Sequence, residues 1–130
     1  TGNFTGWTSQ WGSVVTAHPH SGTYCALLEY QEDMWQTLSE PILVECIESF
    51  TCWIYGQDSG GQHSNAYIKI TYTDDAITEI SVDAPNEAWL EVDILAELVA
   101  GKYVKEIYIS SWVDIAWRLW VDDVILIGKG

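Results

Sequence analysis

The stretch AYIKITYTDDAITEISV, residues 66–82, decides how this chain is read. Through AYIKITYT, Ile68, Ile70 and Tyr72 alternate with Tyr67, Lys69 and Thr71. The run AITEISV (76–82) is again β-rich. A period of two marks a strand with one covered face. Between the runs stand Asp74 and Asp75, a residue type that favours turns over strands. The segment therefore predicts an antiparallel hairpin.

Working outward, the same texture recurs along the whole chain. Short β-rich runs stand between turn residues: SVVTA (13–17), TYCALLEY (23–30), MWQTLSEPILV (34–44, with a break at Pro41) and SFTCWIYG (49–56). AWLEVDI (88–94), YVKEIYISSW (103–112) and RLWVDDVILIG (118–128) complete the series. Helical character is confined to one short turn near 93–100, which Asp93 would cap and Gly101 would end. The expected fold is all-β: a jelly-roll β-sandwich of about eight or nine antiparallel strands, a single domain over residues 1–130. No internal repeat or low-complexity linker divides it.

Alternation also assigns faces. Phe50, Cys52 and Ile54 share one side of their run, against Thr51, Trp53 and Tyr55. Ile107 and Ile109 oppose Tyr108, Ser110 and Trp112. The aliphatic sets should meet in a core, and the aromatic-polar sets should line the outside of a sheet. Trp89 reads as core.

The formal charge is −14, from 19 acids against five Lys and Arg, which argues against nucleic acid and anionic membrane surfaces as partners. No apolar run approaches the roughly 20 residues that cross a bilayer, so membrane insertion is not expected. Cys25, Cys46 and Cys52 are odd in number, so one pair with a free thiol and no pair at all both remain open. Their spacing is not that of a zinc site. Each stands among apolar neighbours and reads as a small buried hydrophobe.

Catalytic signatures are lacking. There is no HExxH, GxSxG, P-loop or GxGxxG pattern. His18-Pro19-His20 reads as a turn, and His63 lies in a Gly-Ser loop. The paired acids Glu32-Asp33 and Asp74-Asp75 are sequence neighbours, which do not flank a substrate as hydrolytic pairs must. The expectation is a protein that is not an enzyme.

One feature resists the strand reading: Asp122 and Asp123 interrupt the apolar run WRLWVDDVILIG (117–128). Burying an unpartnered carboxylate is costly, so either a bulge turns both to water or something positive meets them.

TGNFTGW, VVTAHPHSGTYCALL, MWQTL, SFTCWIYG and LWVDDVILIG, taken in this order, resemble carbohydrate-binding modules of the galactose-binding-like jelly-roll type. The resemblance implies non-catalytic glycan binding, with a polysaccharide as partner, at an extracellular or cell-surface location. It also implies a structural Ca2+ between the chain ends, with Asp122 as its side-chain ligand, Asp123 in reserve, and carbonyls from Ser21 and Thr23. Such a hard cation takes six to eight oxygens and would neutralise the acids. The family's usual G-F-E opening has no counterpart here before Thr1, so the first strand is expected to be incomplete.

Sugars offer apolar C–H faces to aromatic rings and hydroxyl rims to polar side chains. Trp53 and Tyr55 are the first platform candidates, followed by Tyr67 with Lys69, Tyr108 with Trp112, and Trp35 with Gln36. The alternative role is a structural subunit of an extracellular filament, adhesin or coat, built from copies of this chain by strand complementation and aromatic interfaces. Asn3-Phe4-Thr5 is a glycosylation sequon.

Overall fold

The computed structural model describes residues 8–10, 13–15, 25–28, 32–57, 65–111 and 118–129. Among these described residues ten strands run in chain order: β1 (Thr8–Gln10), β2 (Ser13–Val15), β3 (Cys25–Leu28), β4 (Asp33–Leu43), β5 (Ile47–Gln57), β6 (Asn65–Tyr72), β7 (Ile77–Asp83), β8 (Trp89–Asp93), β9 (Tyr103–Ser111) and β10 (Arg118–Gly128). They form two five-stranded sheets, ordered β1-β4-β9-β6-β7 and β2-β3-β10-β5-β8. Every ladder pairing is antiparallel. The all-β sandwich expected from the sequence is the fold observed. The strand beyond the expected nine is β1, three residues that carry too little pattern to read.

The inward parity sets meet as expected. Ile68, Ile70 and Tyr72 of β6, with Ile107 and Ile109 of β9, face Phe50, Cys52 and Ile54 of β5, with Leu119 and Val121 of β10. All are buried, and they form one continuous core. Removing this apolar area from water is the main force holding the sheets together. Tyr72 brings a hydroxyl into that core; it shares a 2.6 Å hydrogen bond with Thr78 Oγ1 and accepts the Val99 N–H at 3.1 Å. The polar atom is thus satisfied, and the loop before β9 is tied to the sandwich.

Local chemistry explains the connections. At the β6–β7 turn, Asp75 takes the left-handed conformation (φ 67°), and Asp74 Oδ1 accepts the Ala76 N–H at 3.0 Å. Lys102 pairs with Asp74, and Lys105 Nζ lies 2.7 Å from Asp75 Oδ1. The short helical turn expected near 93–100 is a single 3-10 turn, Leu95–Glu97. Asp93 Oδ1 accepts the Ala96 N–H at 3.3 Å, and Gly101 follows at φ 82°. A second 3-10 turn, Val44–Cys46, joins β4 to β5.

Three expectations need correction here. Pro41 does not end its run: β4 continues to Leu43. Its register against β9 shifts between Thr37 and Ile42, and an irregular stretch beyond the reach of β1 tolerates a residue without an N–H. Cys46 is exposed, whereas Cys25 and Cys52 are buried; all three are free thiols. Burial pushes the Cys52 thiol up to about 12 and, with the nearby Asp122 charge, the Cys25 thiol up to about 11. Trp89 is half-buried on the outer side of the second sheet, against Tyr55, not in the core.

Gly56 marks a close backbone approach. Its N–H donates to Pro85 O at 3.0 Å and its carbonyl accepts the Glu87 N–H at 2.8 Å. A Cβ there would meet Ala84 Cβ at 2.9 Å and the Ala84 and Pro85 carbonyl oxygens at 3.0 and 3.1 Å. Backbone atoms cannot step aside as a side-chain tip can. Gly56→Ala is therefore expected to cost about 1–3 kcal/mol, an overpacking penalty. Urea denaturation monitored by tryptophan fluorescence would show it as a lowered midpoint; an unchanged midpoint would mean that the 84–87 segment yields freely.

Candidate functional site

The outer face of the first sheet carries a patterned strip. Ladder registers place Trp35, Tyr108, Lys69 and Glu79 in one row across β4, β9, β6 and β7. The row to one side is Asp33, Ser110, Tyr67 and Ser81; to the other it is Thr37, Glu106, Thr71 and Ile77. With strands about 4.8 Å apart, the four span roughly 14 Å.

Three rings from three neighbouring strands meet here. Trp35 and Tyr108 stack with centroids 6.4 Å apart and planes 25° apart. Tyr67 meets Tyr108 edge-on at 6.2 Å. The Lys69 ammonium stands 4.9 Å from the Tyr108 centroid, a cation–π contact. Trp35 and Lys69 flank Tyr108 from opposite strands, so its ring is held on both sides.

The hydroxyls are fixed too. Tyr108 donates to Asp33 Oδ2 at 2.9 Å, and Tyr67 donates to Glu79 Oε2 at 3.0 Å. Thr37 Oγ1 donates to Glu106 Oε2 at 3.2 Å. Partial burial, then the bond to Glu79, pushes the Tyr67 hydroxyl up to about 12. Burial, followed by the bond to Asp33, raises the Tyr108 hydroxyl as well. Both phenols stay protonated at neutral pH, and the rings are oriented before any ligand arrives. Nearby, Asn65 Nδ2 donates to Asp83 Oδ1 at 2.9 Å and Ser81 Oγ donates to Asn65 Oδ1 at 3.0 Å.

Of the residues singled out from the sequence, Trp35, Tyr67, Lys69 and Tyr108 come together on this face. Gln36 does not join them: successive residues of a strand point oppositely, and Gln36 is in register with the core residues Ile107 and Ile70. Trp53 and Tyr55 lie outside the other sheet. Tyr55 is only 9% exposed, since Trp120 meets it edge-on at 5.4 Å and Trp89 covers it at 5.4 Å. It therefore offers no open ring face, even though its parity is outward. Trp53 is half-buried, in register with Asp122 and Glu91. Trp112, Ser21, Thr23, Asn3, His18, His20 and His63 lie outside the described residues.

Asp122 and Asp123 sit at a bulge: Asp122 pairs with Trp53 and Ile125 with Thr51, leaving one extra residue in β10. Asp123 adopts φ 48°, and its N–H donates to Asp122 Oδ1 at 2.8 Å. Both are half-buried. The bulge answers how an apolar strand accommodates two acids. Among the described residues no three His, Cys, Asp or Glu side chains gather as a metal cluster.

The sequence reading missed the acids that anchor the rings. Glu79 was one residue off: counting outward from Asp74-Asp75 pairs Lys69 with Ile80, whereas the turn takes in Thr73 as well and brings Lys69 opposite Glu79. Asp33 was out of reach, because it meets Tyr108 across 75 residues of chain, through a pairing that only the folded sheet creates.

No protein-family model and no curated protein matches the chain. Solved structures do. The carbohydrate-binding module TmCBM61, in complex with β-1,4-galactotriose, is 15% identical, with TM-score 0.66, over 98% of this chain and 92% of that one. The CBM22-1 xylan-binding domain of Paenibacillus barcinonensis Xyn10C is 9% identical, with TM-score 0.68, over 100% and 90%. The C-terminal family 22 carbohydrate-binding module of Clostridium thermocellum Xyn10B is 13% identical, with TM-score 0.65, over 99% and 90%. The chain thus has the β-sandwich of carbohydrate-binding modules, the type its sequence resembles. At these identities the likeness speaks for the fold, and the site must speak for function.

Proposed function

We propose that this protein is a non-catalytic carbohydrate-binding module that holds a polysaccharide on the outer face of its first sheet. The observation that carries the reading is the Trp35–Tyr108–Tyr67 strip, whose rings are pinned by Asp33 and Glu79. Rings supply the apolar surface, while carboxylates and an ammonium beside them supply hydrogen-bond partners for hydroxyls. Neighbours of the same fold include a galactotriose complex and a xylan-binding domain, which fits a glycan ligand. A polysaccharide partner in turn suits an extracellular or cell-surface location, and no helix among the described residues is long and apolar enough to cross a membrane. The assembly role draws on no observation among the described residues.

A structural calcium belongs to the same proposal. The β10 bulge carries two adjacent aspartates, whose carboxylates are the hard oxygen donors such an ion takes. Asp122 and Asp123 would hold it through carboxylate oxygens, with further oxygens coming from Ser21 and Thr23. The ion would supply charge neutralisation and would stitch β10 to the earlier chain.

Native electrophoresis through gels containing soluble β-1,4-galactan or xylan tests both parts. The wild type should be retarded relative to a polymer-free gel; unretarded migration in both polymers would reject the glycan reading. Melting with added calcium and with chelator tests the ion. Calcium should raise the melting temperature of the wild type and leave that of Asp122→Asn unchanged. Equal stabilisation of the two would remove Asp122 from the site.

A further inference from the structure

Lys69 stands at the middle of the outer face, with Tyr108 on one neighbouring strand and Glu79 on the other. A lysine directly across an antiparallel pair from a glutamate normally closes an ion pair. Here none closes. Among the described residues Lys69 has no carboxylate partner, in a chain where 19 acids face five Lys and Arg. Lys105 of β9 and Lys102 just before it each hold an aspartate of the β6–β7 turn. The heads of Lys69 and Glu79 are drawn apart, the ammonium to the Tyr108 ring and the carboxylate to the Tyr67 hydroxyl. That hydroxyl occupies Glu79 Oε2 and leaves Oε1 as an acceptor.

We propose that Lys69 and Glu79 form a split donor–acceptor pair that reads two neighbouring hydroxyls of a neutral sugar, with Lys69 as the specificity-determining donor. The inference rests on the outer face being the glycan site. An ammonium only donates and a carboxylate only accepts, so the pair complements a diol in which one hydroxyl accepts from Lys69 and the next donates to Glu79. The lysine stem is flexible, and its head swings from the ring face to a sugar oxygen without moving the strand. An acidic sugar would also meet Lys69, but Asp33, Glu79 and Glu106 stand in the same and adjacent rows, and the chain carries −14 overall. Like charge at that range selects for neutral polymers.

The test measures retention of the full chain on soluble β-1,4-galactan and xylan, both neutral, and on polygalacturonate. Lys69→Met keeps an unbranched stem and removes the donors; Lys69→Arg keeps donors. Losing a charge-assisted hydrogen bond predicts a fall of roughly tenfold or more in neutral-polymer affinity for Lys69→Met. Lys69→Arg should restore most of it, with both melting temperatures near the wild type, and the wild type should hold polygalacturonate more weakly than its neutral ligand. Undiminished binding by Lys69→Met, or tighter binding of polygalacturonate, would overturn the assignment. Trp35→Ala separates the two levels. If it loses binding while Lys69→Met keeps it, the site stands and the Lys69 role falls; if both keep it, the site itself is misplaced.

Discussion

Trp35→Ala is expected to abolish polymer retention while leaving the sandwich folded. Trp35 lies on β4, outside the core, and its ring is half-buried against Tyr108. Truncating a central aromatic anchor typically costs about 2–4 kcal/mol of binding, or roughly 30- to 1000-fold in Kd. The change removes an apolar ring for sugar C–H groups, and it also takes away one of the groups that hold Tyr108 in place. Folding stability should suffer far less. A lost aromatic pair is worth about 1 kcal/mol, which for a domain of this size is a few degrees in melting temperature. Calorimetric titration with the retained polymer, paired with a thermal melt, reads both quantities. A melting loss as large as that of a core variant would show Trp35 to be structural; unchanged affinity would place the ligand elsewhere.

Phe50→Ala should do the reverse. Phe50 is 2% exposed on the inner face of β5, in register with Leu126 of β10, and its carbonyl accepts the Ile94 N–H at 2.8 Å. Removing a buried phenylalanine leaves a cavity between two sheets that cannot collapse onto it, at a cost of about 3–5 kcal/mol. The melting temperature should fall by roughly 10–20 °C. At a temperature where the variant is still folded, polymer affinity should match the wild type, because the change lies in the other sheet from the aromatic strip. A loss of affinity under those conditions would mean that the two sheets are coupled through the core.

These two substitutions separate the faces that alternation draws in the sequence. Strand parity is a local property: a side chain two residues along points the same way, so Ile68 and Ile70 could be assigned inward, and Tyr67 and Lys69 outward, from order alone. The turn sets register in the β6–β7 hairpin locally too, but it spans residues 73–75, not Asp74 and Asp75 alone, which shifts every partner by one residue from the sequence count. The core set, the turn capped by Asp93 and the β-rich class were legible because they too are local.

Parity says which way a side chain leaves its strand, not what it finds there. Tyr55 and Tyr108 both point outward; the first is buried beneath Trp89 and Trp120, and the second is half-buried in a row with Trp35 and Lys69. Gln36 follows Trp35 in sequence yet belongs to the opposite side of its strand. The bulge that accommodates Asp122 and Asp123 shows only in the mismatch between β10 and β5.

By itself, then, the order of residues determined a two-layered β protein and which of its side chains face each other across the core, since both follow from repeats a few residues long. The folded chain alone decided which sheet carries the half-buried aromatic strip, that Asp33 and Glu79 hold its rings, and that Lys69 has no acid partner among the described residues. Those outcomes depend on the exact length of one turn, for Glu79 and Lys69, and on strands distant in sequence being laid side by side, for Asp33, Trp35 and Tyr108; the spacing between neighbours along a chain does not encode that placement.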